Sequence, residues 1–221
     1  MQIVQQWIEK SLPVWQECLD SAFVTRLEND TLDETAFKGY IVEDSLYLRE
    51  YAKVFAWAMT KAQTMQQLGV FYSMLAFVNE SEDATRRQYL RRLHLSQQQI
   101  ELLPLRRENQ AYVDAMTAAA KQGGAAECMA AVLPCLLSYG WIIKRVAART
   151  PQVLATRYGP FVRDYMDARY ESICRSWCAF ANQEAGRIDA KRQNACGEIF
   201  LCCSRHELNF WQMALEPRSD I

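Results

Sequence analysis

Glycine and proline are scarce, eight and six in 221 residues. Neither clusters into a linker, and the turn signals that an all-β chain needs between strands are few. Histidine is scarcer still. With only His94 and His206, and no Glu-x-x-His pair, the sequence has no ligand set for a carboxylate-bridged di-iron centre. It also lacks a G-x-S-x-G elbow, a P-loop and a Rossmann glycine fingerprint, which leaves nucleotide and flavin chemistry without a handle. Charge of one sign is lacking too. The 25 basic and 26 acidic residues nearly cancel, and no basic run is longer than pairs such as Arg86-Arg87 and Arg91-Arg92, so a nucleic-acid partner is not expected. The longest apolar stretch, Cys128 to Ile143, is interrupted by Pro134, Ser138 and Gly140 and is short for a bilayer span. The first ten residues, MQIVQQWIEK, do not read as a signal peptide. The expectation is a cytoplasmic protein with no membrane partner.

Eight cysteines are present, but a reducing compartment keeps such thiols free, and most are expected to be small core residues. Cys174 and Cys178 lie one helical turn apart and Cys202-Cys203 are neighbours, yet no pair of CxxC motifs offers a tetrahedral zinc set. No metal and no cofactor are expected.

Half of the residues are apolar, enough for one good core, and the length reads as one domain spanning 1–221. The apolar positions recur at helical spacing throughout, which predicts an all-α bundle of several long helices with short connections. Thr31-Leu32-Asp33-Glu34 has the T-x-x-E form of a capping box, and a helix with Phe37, Tyr40, Ile41, Leu48, Tyr51, Phe55 and Ala58 on one face is expected to start there. A second long pattern runs from about Gln66 through Arg92. Ser96 begins a further S-x-x-Q cap. Glu108 or Asn109 opens a helix that Gly123-Gly124 ends, Glu127 to Arg149 forms the most apolar helix, and Asp189 to Leu215 forms the last.

Three groups sit on inward-facing stripes against their desolvation cost. Asp44 lies three residues after Ile41 and four before Leu48, so its carboxylate projects with the core side chains. Glu207 repeats this placement beside Phe210 and Trp211, where burial would raise its pKa and suit it to hold a proton near neutrality. Cys135 follows Pro134, which removes a backbone hydrogen bond, and Tyr139 shares its face one turn on. Each has a plain structural alternative: a hydrogen-bonded buried acid, or a thiol that merely packs. Two carboxylates from opposite ends of the chain nevertheless suggest a shared polar cavity between helices.

The motifs around these residues are D-x-x-Y-L-R-E at Asp44 to Glu50, L-P-C-x-x-x-Y at Leu133 to Tyr139, and E-x-x-F-W at Glu207 to Trp211. Together with RYGPFVRDYMDARY and AYVDAMTAAAKQG, they make nearly the whole chain resemble the TenA/thiaminase II family. The resemblance implies a haem-oxygenase-like helical bundle, a homotetramer, and cofactor-free hydrolysis of thiamin-related aminopyrimidines. Cys135 would then be the nucleophile that forms a covalent ring adduct and Glu207 the proton donor to the ring nitrogen. Asp44 would hold the ring's amino edge and Tyr47 would hydrogen-bond the cysteine sulfur, while Tyr112, Tyr139 and Tyr165 would line the pocket. The leaving group would be the thiazolium of thiamin or ammonia from the aminomethyl pyrimidine. The chain departs from the family at Ser21-Ala22-Phe23, where His-Pro-Phe is usual, at Glu43, where Gln is common, and at Leu137, often aromatic. Two alternatives stay open: the same scaffold acting on another heteroaromatic amine, and a pyrimidine-binding or regulatory protein without turnover.

Overall fold

A computed structural model describes residues 2–80 and 83–221, and among these residues there is no strand. Helix α1 (Ile3–Leu19) and α2 (Ala22–Glu28) open the chain and lead to the long α3 (Glu34–Thr60). Then come α4 (Met65–Glu80), α5 (Asp83–Arg92), the short α6 (Gln97–Glu101) and α7 (Arg107–Gln122). Helix α8 (Ala125–Arg149) is followed by a 3-10 turn at Pro151–Ala155, then α9 (Gly159–Asp164), α10 (Ala168–Ala185) and α11 (Ala190–Ala214).

Helix α8 is the axis of the bundle, packed by α11, α10, α7 and α1. Its residues from Ala126 to Pro134 are buried without a break, as expected of a helix apolar on every face. By length and composition it could cross a membrane, but 83% of its most apolar window is covered by the rest of the protein. It runs continuously through Pro134.

The inward face expected of α3 is the buried one: Phe37, Tyr40, Ile41, Leu48, Tyr51, Phe55 and Ala58 are all in the core. Its start differs from the T-x-x-E expectation. Asp33 is the cap, accepting from the backbone N–H of Thr35 at 2.8 Å, while the Thr31 hydroxyl turns back to the carbonyl of Arg26. A carboxylate one residue before the helix competes better for the exposed N–H groups than a hydroxyl further out. The pattern read from Gln66 to Arg92 is two helices, α4 and α5, with positions 81 and 82 outside the described residues. The Ser96 cap forms as a full box with Gln99, and α7 begins one residue earlier than read.

The departure at position 21 has a local reason. Ser21 caps α2, its hydroxyl accepting from the N–H of Val24, which sends Phe23 inward to pack 5.3 Å from Tyr40 and 5.4 Å from Trp211 between ring centroids. Tyr40 and Trp211 lie parallel, 5.6 Å apart and 5° from coplanar orientation. This aromatic slab joins α2, α3 and α11 beneath the cavity described next.

Candidate active site

Helix α8 carries Cys135, and two tyrosines fix the backbone on either side of it. Tyr51 from α3 donates its hydroxyl to the carbonyl of Val132 at 3.0 Å, and Tyr170 from α10 donates to the carbonyl of Leu136. Tyr170 can approach because residue 140 is glycine: a β-carbon there would lie 2.9 Å from the tyrosine ring. Cys135 itself is half-buried, with Pro134 as its N-terminal neighbour.

Glu207 on α11 is 2% exposed, on a helix packed against α7 and α8. The hydroxyl of Tyr112 on α7 donates to Glu207 Oε1 at 2.6 Å, and the Cys135 thiol lies near enough to the same carboxyl to affect its pKa. Burial pushes the Glu207 pKa up to about 8; the nearby Asp44 charge adds to the rise, and the bonds to Tyr112 and Cys135 oppose it. Glu207 therefore holds a proton at neutral pH. The phenol pKa of Tyr112 is driven well above 10.0, first by burial and then by the Glu207 charge, so it remains a donor.

Asp44 on α3 stands at the boundary of two connected spaces. The outer one, about 200 Å³, is lined by Tyr40, Asp44, Arg86, Phe161, Asp164 and Tyr165 among others. The inner one, about 20 Å³, lies between Asp44, Cys135, Tyr139, Tyr165, Tyr170 and Trp177. Room for roughly one water separates Asp44 from the thiol side. A planar ring entering from the outer space would meet Asp44 first and have the sulfur beyond it. Burial raises the Asp44 pKa to about 6, opposed by the guanidinium of Arg86.

The seven residues expected at the site fall into two layers. Asp44, Cys135, Tyr139 and Tyr165 line the inner space, and Tyr139 stacks on Tyr165 with centroids 5.6 Å apart. Glu207, Tyr112 and Tyr47 lie behind Cys135, reached through the Glu207 carboxyl. The hydroxyl of Tyr47 donates to Met116 Sδ at 3.4 Å, a partner the resemblance does not imply, although the phenol feels the charge of Cys135 and Glu207. Its ring lies against Tyr112, centroids 5.1 Å apart.

Four further residues belong to this region. Tyr40, Tyr51 and Tyr170 brace it, and Arg86, which the sequence shows only as part of a basic pair, reaches its mouth. Tyr40 and Tyr51 could have been found from their place on the buried stripe of α3. The others could not, because they depend on how α5 and α10 settle against α3 and α8. Among the described residues no group of three or more His, Cys, Asp or Glu side chains could hold a metal ion.

A thiol, a buried carboxyl beside it whose pKa is raised and an ionisable carboxylate at the entrance make up the candidate site, and the chain that carries them has known relatives. The chain is 28% identical to an aminopyrimidine aminohydrolase of Halalkalibacterium halodurans over 213 residues, 95% of this chain and 94% of that protein. It is 28% identical to an aminopyrimidine aminohydrolase of Helicobacter pylori over 218 residues, 98% of this chain and 100% of the relative. Among solved structures, a TenA family transcription regulator from a Silicibacter strain superposes with a TM-score of 0.89 at 24% identity, covering 97% of both chains. A TenA homologue from P. horikoshii gives 0.85 at 23% identity, covering 97% of this chain and 99% of that one. Those likenesses establish the helical fold that the sequence predicts. The TENA/THI-4/PQQC family model matches residues 8–217, nearly the whole chain, and the protein belongs to that family.

Proposed function

We propose that this protein hydrolyses thiamin-related aminopyrimidines to the hydroxymethyl pyrimidine, by deamination of the aminomethyl compound or cleavage of thiamin, through a covalent adduct on Cys135. The observation that carries the reading is the placement of the Cys135 thiol beside the buried Glu207 carboxyl, whose pKa is raised to about 8, with Asp44 across the inner cavity from the sulfur. The near full-length similarity to two aminopyrimidine aminohydrolases supports it.

The exocyclic C–N bond of an aminopyrimidine is hard to break while the ring is aromatic. Glu207 gives its proton to a ring nitrogen, and the carboxylate so formed takes the proton of the neighbouring Cys135 thiol. The sulfur adds to a ring carbon in the same step. The S–C bond breaks aromaticity and leaves an enamine through the ring's amino-bearing carbon. Its electron pair expels the leaving group from the exocyclic methylene, and positive charge builds on the amino nitrogen. An ionised Asp44 accepting a hydrogen bond from that amino group stabilises the developing charge. Water adds to the methylene and gives its proton to the released ammonia, or to solvent when the thiazole has left; the departing sulfur takes the proton held on Glu207, the ring nitrogen returns its proton to that carboxylate, and aromaticity is restored. Glu207 and Cys135 exchange protons with each other and titrate as a pair.

Asp44→Asn is expected to raise KM about tenfold or more and to remove the acidic limb of the kcat/KM profile near pH 6, where the wild-type carboxylate loses its charge. Initial rates across pH 5 to 9 measure this; an unchanged acidic limb would exclude Asp44 as its source. Tyr112→Phe deletes a hydrogen bond that lowers the Glu207 pKa, so the alkaline limb is expected to move above its wild-type position. A limb that stays put or falls would contradict the Tyr112 assignment.

The direct test incubates the purified protein with thiamin and with aminomethyl pyrimidine and follows hydroxymethyl pyrimidine by mass spectrometry. Turnover of either supports the reading, and turnover of neither sinks it. The resemblance also implies a homotetramer, and the cytoplasmic location expected from the sequence is consistent with eight free thiols in a reducing compartment. Mass measurement in solution tests the tetramer.

A further inference from the structure

Behind the site lies a buried ionic cluster that the chemistry above does not use. Its centre is Glu43, fully buried on α3 and adjacent to Asp44. Arg218, beyond the end of α11, donates to Glu43 Oε1 at 2.6 Å, and its guanidinium also reaches the carbonyl of Pro104 at 3.0 Å and the Asp220 carboxylate at 2.7 Å. Asn109, in the first turn of α7, donates to Glu43 Oε2 at 2.7 Å and to the Glu43 backbone carbonyl at 2.9 Å. The backbone N–H of Arg106 reaches the same carboxylate at 3.4 Å. The Arg106 side chain binds the carbonyls of Met213 and Glu216 at 3.0 and 2.8 Å, where α11 ends.

The three helices tied here are those that carry Asp44, Tyr112 and Glu207. Asp44 is the next residue after Glu43, Tyr112 follows Asn109 by three positions on the same helix face, and Glu207 lies less than two turns before Met213. A buried ion pair adds little net stability over an apolar replacement of similar volume, so its stronger effect is on geometry. The tail packs over Gly39, where a β-carbon would make ordinary van der Waals contact with Arg218 at 3.5 to 3.6 Å.

We propose that Glu43, Arg106, Asn109 and Arg218 act as positioning residues, setting the separation of α3, α7 and α11 so that Glu207 meets Cys135 and Tyr112 in reactive geometry. The role in turnover rests on the function proposed above, whereas the effect on the thiol does not.

Arg218→Lys keeps the charge but loses the planar fork that spans Glu43, Pro104 and Asp220. In protein shown to be folded by circular dichroism, kcat is expected to fall about tenfold with KM within about twofold, because the lost alignment is of reacting groups and not of substrate affinity. The rate of Cys135 alkylation by iodoacetamide, assigned to its peptide by mass spectrometry, is expected to change about fivefold. The paired change Glu43→Gln with Arg218→Gln, a neutral pair that still hydrogen-bonds, is expected to bring both readouts to within about threefold of wild type. A wild-type kcat and wild-type Cys135 reactivity in Arg218→Lys would overturn the proposal, as would losses that the neutral pair does not restore. If Arg218→Lys does not fold, Asp220→Asn removes only the surface partner, and Cys135 reactivity is expected to shift about threefold; no shift would overturn it. Should the wild type turn over neither pyrimidine, the functional reading fails and the alkylation rates alone decide the positioning role.

Discussion

Cys135→Ser is expected to lower turnover of aminomethyl pyrimidine by about 10⁴-fold or more, the scale of losing a covalent nucleophile. The substitution is sterically small at a half-buried position, so the fold should survive, and thermal unfolding of the variant should stay close to wild type. What changes is the proton. A serine hydroxyl in the same place can still bond to Glu207, but its proton is far harder to remove, and the carboxylate that has just protonated the ring cannot take it. The second readout is the adduct itself. Wild-type protein quenched in acid during turnover should show an intact-mass increase equal to the pyrimidine fragment, localised to the peptide holding Cys135 and absent from Cys135→Ser. Full activity of the serine variant, or an adduct on another of the eight cysteines, would rule out the proposed chemistry. Cys128 and Cys196 are the natural controls. Burial pushes both thiols up to about 12, and neither should be labelled.

The sequence singled out the groups of the candidate site because each broke a local rule. Asp44 and Glu207 are carboxylates on apolar stripes, and helical spacing alone makes such residues conspicuous. The fold class was legible for the same reason: stripes on α3, α8 and α11 have the period of a helix and bury as expected. What spacing cannot convey is the identity of partners across the bundle. The Tyr47 hydroxyl meets Met116, 69 residues away, because α7 presents a sulfur at that level, and nothing in D-x-x-Y-L-R-E specifies it. Tyr170 braces Leu136 only because Gly140 lets its ring approach, and Arg218 finds Glu43 across 175 positions of sequence. At the start of α3, Thr31 and Asp33 both qualify as caps in one dimension. The backbone decides, placing the Asp33 oxygen within 2.8 Å of a free N–H.

Glu207→Gln is expected to reduce kcat about 10² to 10³-fold and, above neutral pH, to leave a protein more stable than the wild type. The catalytic part follows from losing the proton that the ring nitrogen must receive; an amide retains the shape and a hydrogen bond to Tyr112 but cannot act as the acid. The alkaline limb of the rate profile near pH 8 should vanish with it. The stability part follows from linkage. In the folded protein the Glu207 pKa lies near 8, raised from an ordinary 4.5 chiefly by burial. Below pH 4.5 the group is protonated in both states and its burial costs no charge. Between 4.5 and 8 the folded state holds a proton that the unfolded state has released, so stability falls as pH rises, by up to about 1.4 kcal/mol per pH unit for one full proton. Asp44 adds a slope of the same sign between 3.8 and about 6. His206, whose pKa burial lowers from 6.5, contributes the opposite slope below that value, so the comparison between wild type and Glu207→Gln isolates the carboxyl. Urea unfolding at pH 5 and pH 8 provides the measurement. The wild-type midpoint should drop further over that interval than the variant's, and two parallel midpoints would mean that Glu207 is already ionised at pH 5 and cannot be the acid that protonates the ring.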